Sequence, residues 1–129
     1  MDLENNKTIV RGYLNEIVNN ANMDAFETYL SPDVVFNNTT GVKEQFARLQ
    51  AMRIAFPDYH LVIEDQIAEG DKVVTRVTFH GTHQGEFNGV APTGRRVEWP
   101  GIAIDRIAGD KVAEMWHVQN MIAVMKQIC

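Results

Sequence analysis

The stretch AEMWHVQN at residues 113–120 sets a histidine, His117, in an otherwise strand-like segment, with Trp116 beside it and Asn120 three residues on. An imidazole that titrates at its ordinary pKa of about 6.5 can take and return a proton at neutral pH. The same side chain can also be a core histidine that donates to a backbone carbonyl, and residue type alone leaves both readings open. Alternation puts His117 on one face with Met115, Gln119 and Met121, while Glu114, Trp116 and Val118 face the other way. The strand before it sorts likewise: Val97, Trp99, Gly101, Ala103 and Asp105 on one side, Arg96, Glu98, Ile102 and Ile104 on the other. If the two strands pair through Ala108-Gly109-Asp110, His117 faces small residues and Trp99, an arrangement that leaves room for a ligand.

Other residues compete for a role. The amides of Asn37 and Asn38 could orient a carbonyl or could close a turn onto the backbone. Tyr13 could be core or could put its hydroxyl in a cavity. His80 and His83 lie three apart in FHGTHQGEF, but on a strand that spacing points them to opposite sides. With no Cys or HExxH-type partner, a metal site is not expected. His60 at a strand start reads as solvated. GxSxG, P-loop and GxGxxG signatures are missing, so acyl-serine, nucleotide and dinucleotide chemistry lack their usual marks.

The elements that must hold these residues read as helices first and strands later. Ile9, Val10, Tyr13, Leu14, Ile17 and Val18 form one face of a helix over 5–20. Met23–Leu30 reads as a second short helix, Ser31-Pro32-Asp33 as a turn, 34–38 as a short β segment, and Val42–Phe56 as a third helix. Period-two patterning then predicts strands at Tyr59–Ala68, Lys72–His83 and Arg96–Ile107, with a last one from Lys111 to about Val124. The glycine-rich loop GEFNGVAPTG interrupts the series. Such segregation implies one α+β domain over 1–129, with helices across a curved, mostly antiparallel sheet and a pocket between them.

Composition excludes several partners. The chain has 129 residues, a net charge of -5, and no basic run longer than Arg95-Arg96, which argues against a nucleic-acid groove. No apolar stretch approaches the roughly 20 residues needed to span a bilayer. The polar start MDLENNKTIV and the single Cys129 predict a cytoplasmic protein without an internal disulfide.

FPD at 56–58, GTHQGEFNGVAPTGRR at 81–96, and a Trp, a polar stretch and a Gln near the C-terminus together resemble the SnoaL-like polyketide cyclases of the nuclear transport factor 2-like superfamily. The loop is similar to that family's GTHxGxFxGxPPTG, with Ala91 where the first proline stands. The resemblance covers nearly the whole chain. It implies a cone-shaped α+β barrel, a homodimer packed through its sheet, and a small polyketide-like substrate. It also implies ring closure by an intramolecular aldol reaction that needs no cofactor, with a carboxylate on the last strand as acid/base. Hydroxylases share the scaffold. Here His117 falls where the cyclase aspartate stands, Ala103 where a histidine is common, and Asn120 where an Asp is frequent.

The expectation is therefore a cyclase or isomerase with His117 as acid/base. Tyr13 or Asn37 would donate to an enolate, and Phe36, Trp99, Trp116 and Asn120 would line the substrate. A template-type cyclase or hydroxylase without a base, and a non-catalytic binding module, are the alternatives.

Overall fold

The computed structural model describes residues 2–40 and 42–129. Helix α1, Leu3–Tyr13, starts where the Asp2 carboxylate accepts from the Asn5 amide at 3.0 Å, with Glu4 in its first turn and Arg11 in its last. It runs on as a π-helix, Leu14–Asn19, whose wider turn carries Leu14, Ile17 and Val18 onto the buried face begun by Val10 and Tyr13. A single turn at Met23–Ala25 and the short helix α2, Phe26–Tyr29, lead into β1, Leu30–Phe36. Strand β2 is Thr39–Thr40, and helix α3 spans Val42–Ala55. The remaining strands are β3 (His60–Glu69), β4 (Lys72–Thr82), β5 (Arg96–Ala108) and β6 (Lys111–Gln119), followed by helix α4 (Met121–Ile128).

The strands form one sheet in the order β2-β1-β6-β5-β4-β3. All its pairings are antiparallel except β1 with β6. This is the mixed α+β arrangement expected, with helices on one face of a mostly antiparallel sheet. Period two decides which side chains go in. Val73, Thr75, Val77 and Phe79 of β4 and Val97, Trp99, Ala103 and Asp105 of β5 are buried. A tight aromatic group ties the sheet to the chain that follows α3: Trp99 packs 5.3 Å from Phe56, 5.6 Å from Phe79 and 6.1 Å from Tyr59 between ring centres. Gly101 makes this possible, because a Cβ there would meet the Phe79 ring at 2.4 Å.

Two expectations are corrected. Ser31-Pro32-Asp33 is not a turn but part of β1. Leu30 pairs with Val112 and Val35 with Glu114, so β1 bulges between them, and a proline is tolerated where the ladder is interrupted. The last strand stops at Gln119, and residues 121–128 are helical. The Asn120 side chain caps that helix by accepting from the Ala123 amide at 3.0 Å, and Val124 and Ile128 then bury at helical spacing.

Candidate active site

The hairpin β5–β6 builds the site. Gly109 and Asp110, at φ 58° and 61°, make the kind of two-residue turn that matches strand twist. Arg106 pairs with Glu114 and Ile107 with Val112, so Ala113 is an extra residue. That bulge lets Val112 and Met115 both bury and leaves His117 on the inner face, opposite Ala103. Asp105, opposite Met115, becomes the diagonal neighbour of His117. The His117 Nε2 to Asp105 Oδ1 distance is 3.0 Å, with the imidazole 15% exposed and the carboxylate fully buried. The other carboxylate oxygen, Oδ2, has no hydrogen-bond partner among the described residues. Among the described residues the imidazole is thus the one hydrogen-bond partner of the buried Asp105 carboxyl group.

Two further groups surround His117. The Tyr13 ring stacks on it at 6.0 Å and 17°, with its hydroxyl 3.3 Å from Nε2 and 3.4 Å from Nδ1. Equal distances to two diverging nitrogens make this a close polar contact, not a bond aimed along one lone pair. Phe36 meets the imidazole edge-on at 5.3 Å. Burial pushes the Tyr13 phenol well above its ordinary range, with the nearby Asp105 and Tyr59 adding to the effect and Arg48 opposing it. Tyr13 is thus a neutral donor at physiological pH.

The main chain of His117 is held as firmly as its ring. Asn37 sits at φ 48°, just past the end of β1, and its side chain pairs with the His117 backbone like a further strand residue. Its Nδ2 donates to the His117 carbonyl at 3.0 Å, and its Oδ1 accepts from the His117 amide at 2.8 Å. Asn19 does the same for Leu61 on β3, at 3.0 and 2.7 Å.

His117 and Tyr13 open onto a cavity of about 360 Å³ between helices and sheet. Leu14, Leu49, Met52, Leu61 and Phe87 give it apolar walls, and Gln119, Arg48 and Asn88 add polar points. A mostly apolar space with a few convergent polar groups is the form of a small-molecule site.

The structure gathers some of the residues singled out in the sequence at the cavity and places others elsewhere. Tyr13, Phe36 and His117 come together at the cavity. Asn37 does not line it and instead clamps the His117 backbone. Trp99 stands behind the wall, where its Nε1 donates to Gln119 Oε1 at 2.8 Å and so fixes that amide. Trp116 lies on the opposite face of β6, paired with Ile104. Asn120 is an exposed helix cap. Position 103, where the family commonly has a histidine, is alanine, and the side chain that meets His117 from β5 is Asp105, two residues along. Asp105 was legible as an acid on the inward face of an apolar strand, a placement that is rarely idle. Among the described residues no three His, Cys, Asp or Glu side chains converge as metal ligands.

A histidine and a buried aspartate in contact beside a mostly apolar cavity define the class: an α+β domain with a small-molecule pocket. Residues 8–128 match the family of SnoaL-like polyketide cyclases, and the chain belongs to that family. Its structure is similar to AclR, a candidate hydroxylase from Streptomyces galilaeus, at 29% identity and a TM-score of 0.86, covering 98% of this chain and 97% of that one. It is also similar to a candidate SnoaL-like cyclase from Jannaschia sp., at 26% identity and a TM-score of 0.83, over 97% and 92% of the two chains. IdmH, a candidate polyketide cyclase from Streptomyces antibioticus, shares 25% identity with a TM-score of 0.84, over 95% and 96%. No functionally curated protein matches the chain.

Proposed function

We propose that the protein is a cofactor-independent cyclase or isomerase acting on a small, polyketide-like carbonyl compound by aldol-type acid/base chemistry. One observation carries this reading above the rest: the 3.0 Å contact between His117 and the buried Asp105 inside an apolar cavity. A carboxylate can only accept, so the ring hydrogen belongs on Nε2 and Nδ1 is left as the basic nitrogen. Nδ1 removes a proton from a carbon between two carbonyls, and Asp105 stabilises the imidazolium that forms. Tyr13 donates to the enolate oxygen. The enolate carbon then bonds to a second carbonyl carbon of the same chain, and the alkoxide takes the proton back from His117. Atoms balance without an oxidant or cofactor. Such a base contributes about 10²–10⁴-fold, and the cavity contributes by holding the chain folded.

The test is deuterium incorporation into ethyl benzoylacetate, followed by NMR. Wild type should exceed the buffer rate and His117→Ala should not. Equal rates in the two proteins would remove the base from the reading. The similarity to AclR favours a second reading, oxygen insertion in the same cavity, which oxygen uptake in step with turnover would reveal.

We also read the chain as a cytoplasmic homodimer. The single exposed Cys129 fits a reducing compartment, and no described helix is long and apolar enough to cross a membrane. Ile102 and Val118, paired in register and 45% and 70% exposed, reach the cavity edge and also present apolar surface to solvent, which suits packing against a second copy. Sedimentation of Val118→Asp beside wild type tests this, with a shift to monomer expected.

A further inference from the structure

Arg48 plays no part in the proton transfer proposed for His117 and Tyr13. It lies on α3 as an exposed residue at the cavity edge, with its guanidinium 4.6 Å over the centre of the Phe36 ring. The far side of the same ring system leads directly to the imidazole, since Phe36 meets His117 edge-on at 5.3 Å. Arg48 lines the cavity, and among the described lining residues it is the one permanently charged side chain. No carboxylate shares that lining. Asp105 is buried beneath the imidazole and engaged there. No ion pair of the described residues includes Arg48. Its charge reaches inward nonetheless, as it opposes the effect of burial on both Tyr13 and Tyr59.

A guanidinium at the edge of an apolar cavity, with no described carboxylate against it, is available to an anionic group of a ligand in that cavity. The planar fork of five donors suits a carboxylate in two-point contact, and the aromatic ring beneath it holds the fork in place. Neighbouring Arg53 shows the contrast. Its Nη2 donates to the carbonyls of Val18 and Asn19 at the end of the π-helix, which holds the guanidinium against the backbone.

From this geometry we infer that the substrate carries an anionic group, a carboxylate, which Arg48 anchors while the reacting carbonyls lie one aromatic ring away at His117. The inference rests on the cavity being the active site and narrows its substrate class. Neutral polyketide-like esters fill the apolar walls equally well but leave Arg48 unpaired.

A matched pair of compounds tests it: ethyl (para-carboxybenzoyl)acetate, and the same molecule with the ring carboxyl as its methyl ester. Wild type is expected to bind the acid about tenfold or more tightly than the ester, as a charge-assisted hydrogen bond allows. Arg48→Gln should lose that preference, and Arg48→Lys should restore part of it. His117→Ala should keep it. Added salt should weaken the acid alone. Equal affinity of wild type for the two compounds, or an acid preference that survives Arg48→Gln, overturns the inference. Deuterium exchange at the acidic carbon of the same compounds reports separately on His117. Absent enzyme-dependent exchange with the acid preference intact removes the catalytic reading and leaves the anion site standing.

Discussion

His83 and His117 are both histidines packed against aromatic rings, and their ring nitrogens meet opposite kinds of partner. His83 is fully buried. Its Nδ1 accepts from the Thr93 amide at 3.2 Å and contacts the Thr93 hydroxyl at 3.0 Å, so its hydrogen sits on Nε2. That Nε2 has no partner among the described residues and the ring packs on Phe56. Backbone bonds from His83 to Arg95 and from Gly94 to His83 close the 83–95 loop around it. His117 instead faces a cavity and spends its Nε2 on a carboxylate. A ring pinned by a backbone donor is a fastener, because its basic nitrogen is already occupied. A ring pinned by an acceptor leaves its basic nitrogen to a weaker contact, here the Tyr13 hydroxyl at 3.4 Å.

The largest test of that contrast lies at the carboxylate. Asp105→Asn keeps the shape but can present an amide hydrogen to Nε2, which favours the wrong tautomer. Turnover should fall about 10²–10⁴-fold, as for His117→Ala, with circular dichroism unchanged. His83→Ala should do the reverse. Stability should drop by about 2–3 kcal/mol in urea melts while kcat per folded molecule stays near wild type. If His83→Ala were stable but inactive, the roles drawn for the two rings would have to be exchanged.

Smaller effects sharpen the picture. Asn37→Ala frees the His117 backbone and should cost about tenfold in kcat with KM little changed, as expected of a positioning residue. The Tyr13 phenol, raised by burial first and by Asp105 next, binds its proton more tightly in the folded state than in the unfolded one. Its contribution is therefore intact below about pH 10 and declines above it, where the unfolded chain ionises. Tyr13→Phe should flatten the loss of Tm between neutral and strongly alkaline pH.

The least effect belongs to the His83 side. Burial pushes the Asp58 carboxyl up, but bonds from the Thr82 amide at 2.6 Å and hydroxyl at 2.7 Å outweigh it and hold it below the usual aspartate range. Asp58 therefore stabilises the entry to the loop above its unfolded pKa of about 3.9, and that help is lost as pH falls through the lower folded value. Asp58→Asn should reduce the acid sensitivity of Tm slightly and leave activity at pH 7 alone.

Much of this was legible along the chain. Period two over β4 and β5 named the inner face, and the face containing Val97, Trp99, Ala103 and Asp105 is the buried one. The 3.6 period named the face of α1 carrying Val10 and Tyr13. These patterns are local, since each strand or helix turn must bury one side whatever its neighbours are. The family followed from the loop at 81–96, whose spacing is also local.

What local pattern could not decide was which inward residues meet. Asp105 reaches His117 because of register and one bulge at Ala113, and Asn37 reaches it because β1 lies parallel beside β6. Arg48 reaches the cavity because α3 packs against β1, which brings its guanidinium over Phe36. Trp99 and Asn120 look like site residues until the Gln119 bond and the α4 cap claim them. Alternation along a strand is set by backbone geometry and can be read one residue at a time. The partners across strands are set by pairing over long separations, so only the folded chain fixes which imidazole has a carboxylate behind it.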